Sequence, residues 1–302
     1  FSLALFSKDQ AEGKVFFYVF EQGKHLPSLI LKVRPDKDGI NCFEKQYHNL
    51  LYIHNNPDLS YFAQYVPRPV LCCKSFQQFV YAETFIGGSQ LKNVIVPTRR
   101  IDYLKKSSEW LMDFHKKTCC SIEYSDKDLK EKVFLPDSHF SKINEYGLNV
   151  DKIQHYIMDC LGERSRSPFP FIFYHGDFTA YNILAHNGKI AVLDWEYSNV
   201  KGVPLLDLLN LLTYYCYGKF KGSFYDSFTW ALIDENTFSV LSRFLITGYT
   251  DAIGIDRCLI DAFVMRFLIE LVFLKDSARQ EKQDILKLIN LFLDKKIKLN
   301  YT

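Results

Sequence analysis

Apolar positions in the first third of the chain come in short bursts separated by turns. Residues 14–20 (KVFFYVF) and 28–33 (SLILKV) are rich in β-branched and aromatic side chains, which predicts two strands. The polar connector 21–27, with Gly23 inside it, predicts a hairpin between them. The period then changes: over 43–54 Phe43, Tyr47, Leu50 and Leu51 recur at helical spacing. Pro67 and Pro69 break the chain before another strand-like run at 79–82. These pieces describe a small α+β unit of strands and one helix.

After Gly87-Gly88 the pattern becomes helical. Residues 100–117 predict a strong amphipathic helix, with Ile101, Leu104, Trp110, Leu111 and Phe114 apolar. From about Leu205 to the end the pattern is almost wholly helical, broken near 218–222 and 248–254. One β-rich island, 169–195, stands apart, and the mixed polar stretch 121–167 predicts no definite element. There is no internal repeat and no low-complexity segment.

Composition narrows the function classes. A length of 302 residues suggests about two units at ~150 residues each. The balance of 37 basic against 35 acidic residues leaves a net charge of +2, without the basic surplus of a dedicated nucleic-acid binder. No apolar run reaches the ~18 residues of a membrane span, so no membrane partner is expected. The nearest, 258–274, contains Asp261, Arg266 and Glu270 and reads as an amphipathic or buried helix. The eight cysteines include two adjacent pairs and no C-x-x-C, which fits reduced thiols in a cytoplasmic protein. The chain opens on Phe1 with no signal-like stretch before it, as expected of a trimmed sequence.

Candidate chemistry concentrates in the β island. His175-Gly176-Asp177 follows one apolar run, and Asn182 lies five residues after Asp177. Asp194 ends a second strand, 190–193, and His186-Asn187-Gly188 is a good turn between them. Two adjacent strands would therefore bring Asp194 beside Asn182. A carboxylate and an amide oxygen converging there suit a hard cation such as Mg²⁺. Asp177 would remain on the same loop to accept a proton from an attacking hydroxyl. Lys32 sits in the apolar strand Ile30-Leu31-Lys32-Val33, where an inward ammonium needs a phosphate or carboxylate partner.

An Asp, an Asn five residues later and a metal-binding Asp on the next hairpin is the arrangement described for kinases. With His-Gly-Asp, Asp194-Trp195-Glu196, the segment Gly202-Val203-Pro204-Leu205-Leu206-Asp207-Leu208 and the helix end Leu111-Met112-Asp113-Phe114-His115, the sequence resembles the aminoglycoside phosphotransferase and choline kinase superfamily. The resemblance implies an α+β, two-lobed protein-kinase-like fold. Its small β-rich N-lobe would be residues 1–86 and its large, mostly helical C-lobe residues 87–302. It implies ATP as phosphoryl donor, with GTP as the alternative, and Mg²⁺ as cofactor. Asp177 becomes the catalytic base, His175 the residue that orients its loop, Asn182 and Asp194 the metal ligands, and Lys32 the phosphate-gripping lysine. The helix carboxylate expected to hold Lys32 is Glu44 by charge, against Gln46 by register. A glycine-poor nucleotide loop falls on 7–13, including Ser7 and Gly13. The hinge falls on 81–85, where Ala82, Glu83, Thr84 and Phe85 are expected to meet adenine through backbone amides. Glu196 and Asp207 are expected as helpers of the metal and of the loop.

The acceptor implied is a hydroxyl of a small molecule bound by the helical half: an amino-sugar, sugar or amino-alcohol. Residues 205–262 hold seven acids and four bases, a mild excess suited to a cationic acceptor. The same region carries the aromatic cluster from Tyr214 to Trp230, which either contacts substrate or fills the core. Two other readings stay open. One is a catalytically inactive kinase-like nucleotide-binding module. The other is an atypical protein kinase, opposed by the seven residues between Glu196 and Pro204, too few for a peptide-docking activation loop. The oligomeric state is not legible.

Overall fold

A computed structural model of the protein describes residues 1–8, 14–35, 40–75, 78–94, 96–135, 143, 145–162, 168–186, 188–274, 279–297 and 299. Its strands are β1 (Ser2–Lys8), β2 (Val15–Phe20), β3 (Leu29–Pro35), β4 (Pro69–Ser75), β5 (Gln78–Thr84), β6 (Ser89–Gln90), β7 (Cys120–Ile122), β8 (Phe169–Tyr174), β9 (Ile183–His186), β10 (Lys189–Val192) and β11 (Asn199–Gly202). Its longer helices are α1 (Ile40–Asn55), α2 (Pro97–Thr118), α3 (Val150–Gly162), α4 (Leu206–Tyr217), α5 (Phe224–Leu232), α6 (Thr237–Ile253), α7 (Ile260–Leu274) and α8 (Arg279–Leu293). The chain forms two compact units, one of residues 1–110 with 175–200, the other of 111–174 with 201–302.

The first unit is built on an antiparallel five-stranded sheet in the order β1-β2-β3-β5-β4. The expected hairpin is β2–β3, with Val15 opposite Val33 and Val19 opposite Leu29. Its turn closes through Lys24 N–H to the Glu21 carbonyl at 3.1 Å, and Gly23 takes a left-handed φ of +80° that costs glycine little. Helix α1 turns Phe43, Gln46, Leu50 and Ile53 inward, each fully buried, on one face at i, i+3, i+7 and i+10. Two strands of this sheet went unpredicted. β1 is a short mixed run, and β4 begins at Pro69, a residue that reads as a breaker. Cys72 and Cys73 are adjacent in β4, so they face opposite sides. A second sheet, β10-β9-β6, completes this unit.

The second unit is mostly helical around β8, whose six residues are all buried. Helix α4 is buried from Leu206 to Cys216, the pattern of a helix enclosed on every side. His115, fully buried, lies 2.7 Å from the Tyr249 hydroxyl through Nδ1. Its Nε2 is 3.6 Å from Asp207. The Tyr249 hydroxyl accepts the Leu205 N–H at 3.2 Å, where Leu205 holds a left-handed φ of +71°. The Asp207 segment is thus tied to the end of α2.

Two expectations are revised here. Within 121–167 lies α3, whose buried Ile153, Ile157 and Leu161 recur every four residues, a signal present in the sequence but diluted by polar neighbours. Helix α6 runs through Gly248 and stops at Gly254, which takes the left-handed C-cap conformation at φ +81°. The aromatic cluster divides: Tyr214, Tyr215, Phe224 and Phe228 are core. Trp230 stacks on Phe238 at 4.8 Å and carries the Lys219 ammonium 3.5 Å above its ring. None of the eight cysteines is in a disulfide. Among the described residues no helix is long and apolar enough to cross a membrane.

Gly202 abuts Tyr174 so closely that a Cβ would sit 2.0 Å from the tyrosine Cβ. Gly202→Ala should therefore destabilise the protein by about 1–3 kcal/mol, read as a lower urea midpoint. An unchanged midpoint would show that the strand can shift to make room.

Candidate active site

The loop between β8 and β9 carries the candidate catalytic groups, and the β9–β10 hairpin fixes their spacing. Ile183 pairs with Val192, and Leu193 N–H donates to the Asn182 carbonyl at 2.9 Å. Asp194 therefore follows directly on the residue tied to Asn182. The Asn182 side-chain amide donates to the Asp177 carboxylate at 2.7 Å and to the Asp177 carbonyl at 3.0 Å. Its nitrogen is thereby committed to Asp177, which leaves the amide oxygen as its group for a cation.

His175 is a clamp on this loop. Its Nδ1 accepts the Asp177 N–H at 3.1 Å, so the ring proton lies on Nε2 and is donated to the Leu193 carbonyl at 2.9 Å. The ring is 1% exposed and meets Trp195 edge-on at 4.7 Å between centroids. Gly176 has φ +86°, and a Cβ there would meet the Tyr197 carbonyl oxygen at 2.7 Å. That close approach explains a glycine between His175 and Asp177.

Around Asp194 the charges form a connected set. Lys32 Nζ lies 3.2 Å from Asp194 and 3.2 Å from Glu83. Glu83 also accepts the Tyr81 hydroxyl at 2.9 Å and the Gln46 amide at 3.2 Å. Lys14 Nζ grips both oxygens of Glu196 at 2.7 and 2.9 Å. Burial alone would lower the Lys32 ammonium, but Asp194, Glu83 and Glu196 outweigh it and hold it above its ordinary 10.5. Burial alone would raise the Asp194 carboxyl; Lys32 and Lys14 reverse that and hold it below 3.8. The Glu196 carboxyl goes the other way, raised above 4.5 by burial and by Asp194 despite Lys14. Asp194 itself adopts a left-handed φ of +62°, a conformation Asp tolerates better than most residues.

The donor set fits a small divalent cation. Asp194, Glu196 and the Asn182 amide offer hard oxygens, and two ammonium groups already rest on the carboxylates. Among the described residues no group of three His, Cys, Asp or Glu is arranged to hold a metal. Mg²⁺ takes one or two carboxylates and completes its shell with water and phosphate.

Several expected residues stand elsewhere. Glu44 is exposed, while Gln46 takes the inward position on α1 and bonds to Glu83. The carboxylate that holds Lys32 thus comes from β5, because Lys32 and Glu83 share one face of the β3–β5 ladder, in which Ile30 pairs with Glu83 and Lys32 with Tyr81. The hinge is also revised. Thr84 N–H donates to the Arg68 carbonyl at 2.9 Å and Phe85 N–H to the Ser28 carbonyl at 3.0 Å. Those two amides are spent inside the unit, Ala82 lies within the ladder, and Glu83 contributes its side chain. Ser7 belongs to β1, paired with Phe16, and so precedes any loop. Gly13 lies outside the described residues. Lys14 was missed as a site residue, and Glu83 was expected only through its backbone, although its side chain is a lone acid in an apolar strand, the same signal that flagged Lys32.

Residues 135–232 match the family described as the Phosphotransferase enzyme family. No curated protein matches the chain. Among solved structures, a thermostable mutant of aminoglycoside phosphotransferase APH(4)-Ia in complex with ADP and hygromycin B is similar at 15% identity and TM-score 0.60, over 97% of this chain and 92% of that one. A choline kinase from Cryptosporidium parvum Iowa II is similar at 14% identity and TM-score 0.52, over 97% and 89%. APH(3'')-Id from Streptomyces rimosus, in complex with ADP and streptomycin, is similar at 13% identity and TM-score 0.50, over 93% and 90%. The fold is the α+β, kinase-like one of these phosphotransferases. The description of the matched segment and the shared fold agree with the resemblance that the sequence motifs carry.

If Glu83 rather than Glu44 holds Lys32, Glu83→Gln should cost about 1–3 kcal/mol of stability. Glu44→Gln should stay within about 0.5 kcal/mol of the parent. Urea denaturation of both variants measures the difference, and equal losses would refute the assignment.

Proposed function

We propose that the protein is an ATP-dependent small-molecule kinase that transfers the γ-phosphoryl group to a hydroxyl of an amino-sugar, sugar or amino-alcohol. The observation that carries this reading is the single cluster in which Asp177 bonds to Asn182, Asn182 is tied to the residue before Asp194, and Asp194 meets Lys32. Phosphoryl transfer depends mainly on positioning and charge stabilisation, and this cluster supplies both.

In this reading Asp177, oriented by the Asn182 amide, accepts the proton of the attacking hydroxyl. Asn182 and Asp194 hold Mg²⁺, which neutralises phosphate charge when bound. Lys32 balances the remaining negative charge on the phosphates. His175 keeps the loop in place through its two ring nitrogens. Adenine is read by chain beyond β5, since the Thr84 and Phe85 amides are already bonded. The functional division is an N-lobe of residues 1–86 and a C-lobe of 87–302. Eight thiols without a disulfide support a cytoplasmic setting.

The acceptor class is supported by the similar structures, which include proteins bound to hygromycin B and streptomycin and a choline kinase. The acidic excess of 205–262 favours a cation among these. ADP release measured over aminoglycosides, choline, ethanolamine, homoserine and free sugars should single out one class. Asp177→Ala should lower the rate about 10²–10⁴-fold, and Asp194→Ala should abolish it, with both variants folded. Undiminished turnover in either, or phosphorylation of protein substrates alone, would overturn the reading.

A further inference from the structure

The Lys14–Glu196 pair stands out among the ion pairs of the first unit. Both side chains are buried, at 7% and 6% exposure, and the contact is bidentate. Withdrawing two ions from water is costly, and an apolar pair of similar volume would often serve the fold as well. Nothing local requires the charge: Lys14 opens the strand Val15–Phe20, which is otherwise apolar and aromatic. Glu196, in turn, lies two residues from Asp194.

The charge balance around Asp194 makes the pair informative. Lys14 and Lys32 bring two ammonium groups; Glu83, Asp194 and Glu196 bring three carboxylates. The formal sum is −1, so the cluster by itself repels a bare triphosphate. A divalent cation bound here would reverse that sign, and Asp194 and Glu196, which the lysines now hold, would be the carboxylates to hold it. Lys32 freed from Asp194 keeps Glu83, and Lys14 freed from Glu196 is then an ammonium beside a polyanion. Lys32 is the expected partner of the phosphates. Lys14, on a flexible four-carbon stem and immediately after the segment that the sequence assigns to the nucleotide loop, is in the same position.

We propose that Lys14 is a second phosphate-contacting residue, held on Glu196 until nucleotide and metal arrive and then exchanged onto the triphosphate while Glu196 turns to the cation. The proposal rests on the nucleotide-binding reading given above. It makes Glu196 the keeper of Lys14 as well as an oxygen donor, and it gives the cluster two matched lysine–carboxylate exchanges instead of one.

Isothermal titration calorimetry with ATP and with adenosine, in EDTA and in Mg²⁺, tests this. In EDTA, Glu196→Gln releases Lys14 and removes one negative charge, so ATP should bind about tenfold more tightly than to the parent. The Lys14→Met/Glu196→Gln double variant, a neutral pair of similar volume, should lose that gain. Adenosine affinity should be equal in all three proteins. In Mg²⁺, Lys14→Met should weaken ATP about tenfold or more, and Lys14→Arg should restore most of it. Equal ATP binding by the single and double variants in EDTA would refute the proposal, as would a Lys14→Met loss shared by adenosine, which marks a merely structural lysine. A parent protein that binds neither ATP nor adenosine under either condition would instead refute the nucleotide reading, and the proposal with it.

Discussion

Everything in the candidate site depends on a simple constraint: an ammonium group buried in a β-sheet must be given a carboxylate. Lys32 is enclosed by an apolar strand, and burial without a partner would cost several kcal/mol or strip its proton. The fold meets this demand from two directions, with Glu83 across the ladder and Asp194 at the end of the β9–β10 hairpin. Lys14 and Glu196 repeat the solution a few residues away. The strands could not close around these groups in another register without leaving at least one charge alone. The ladder register and the chemistry are therefore specified by the same contacts.

Much of this was legible beforehand, for definable reasons. The hairpin β2–β3 and the β island announce themselves through short runs rich in β-branched and aromatic residues, and helices α1 and α2 through a period of 3.6. The motif residues Asp177, Asn182 and Asp194 are close in sequence, so one tight turn suffices to gather them. What was not legible depends on pairing between distant strands. Whether Lys32 meets Glu44, Gln46 or Glu83 turns on the register between β3 and β5 and on the rotation of α1, neither of which is written locally. Charge alone favoured Glu44; the buried face of the helix, set by Phe43, Leu50 and Ile53, carries Gln46 instead. The hinge failed for a related reason. Backbone amides at the end of a strand look available in sequence, but neighbouring carbonyls from Arg68 and Ser28 take them.

The helical unit shows the same division between local and non-local information. Helix α4 is legible as a helix, but its burial from Leu206 to Cys216, which encloses Asp207, Asn210 and Thr213 as well, depends on the helices packed around it. The contact of His115 with Tyr249 and Asp207 joins residues up to 134 positions apart, and no spacing rule reaches that far. Yet both ends of that network lie in segments singled out by resemblance, Leu111–His115 and Gly202–Leu208. A buried histidine between a phenol and a carboxylate gives those segments a shared physical purpose, which is to anchor the strained turn at Leu205.

The imidazole of His175 has one more consequence. With Nδ1 occupied as an acceptor and Nε2–H as a donor, the ring has no lone pair to offer a substrate. Its neutral tautomer is a part of the scaffold, comparable to a backbone turn. In the proposed reaction the proton is then left to the Asp177 carboxylate.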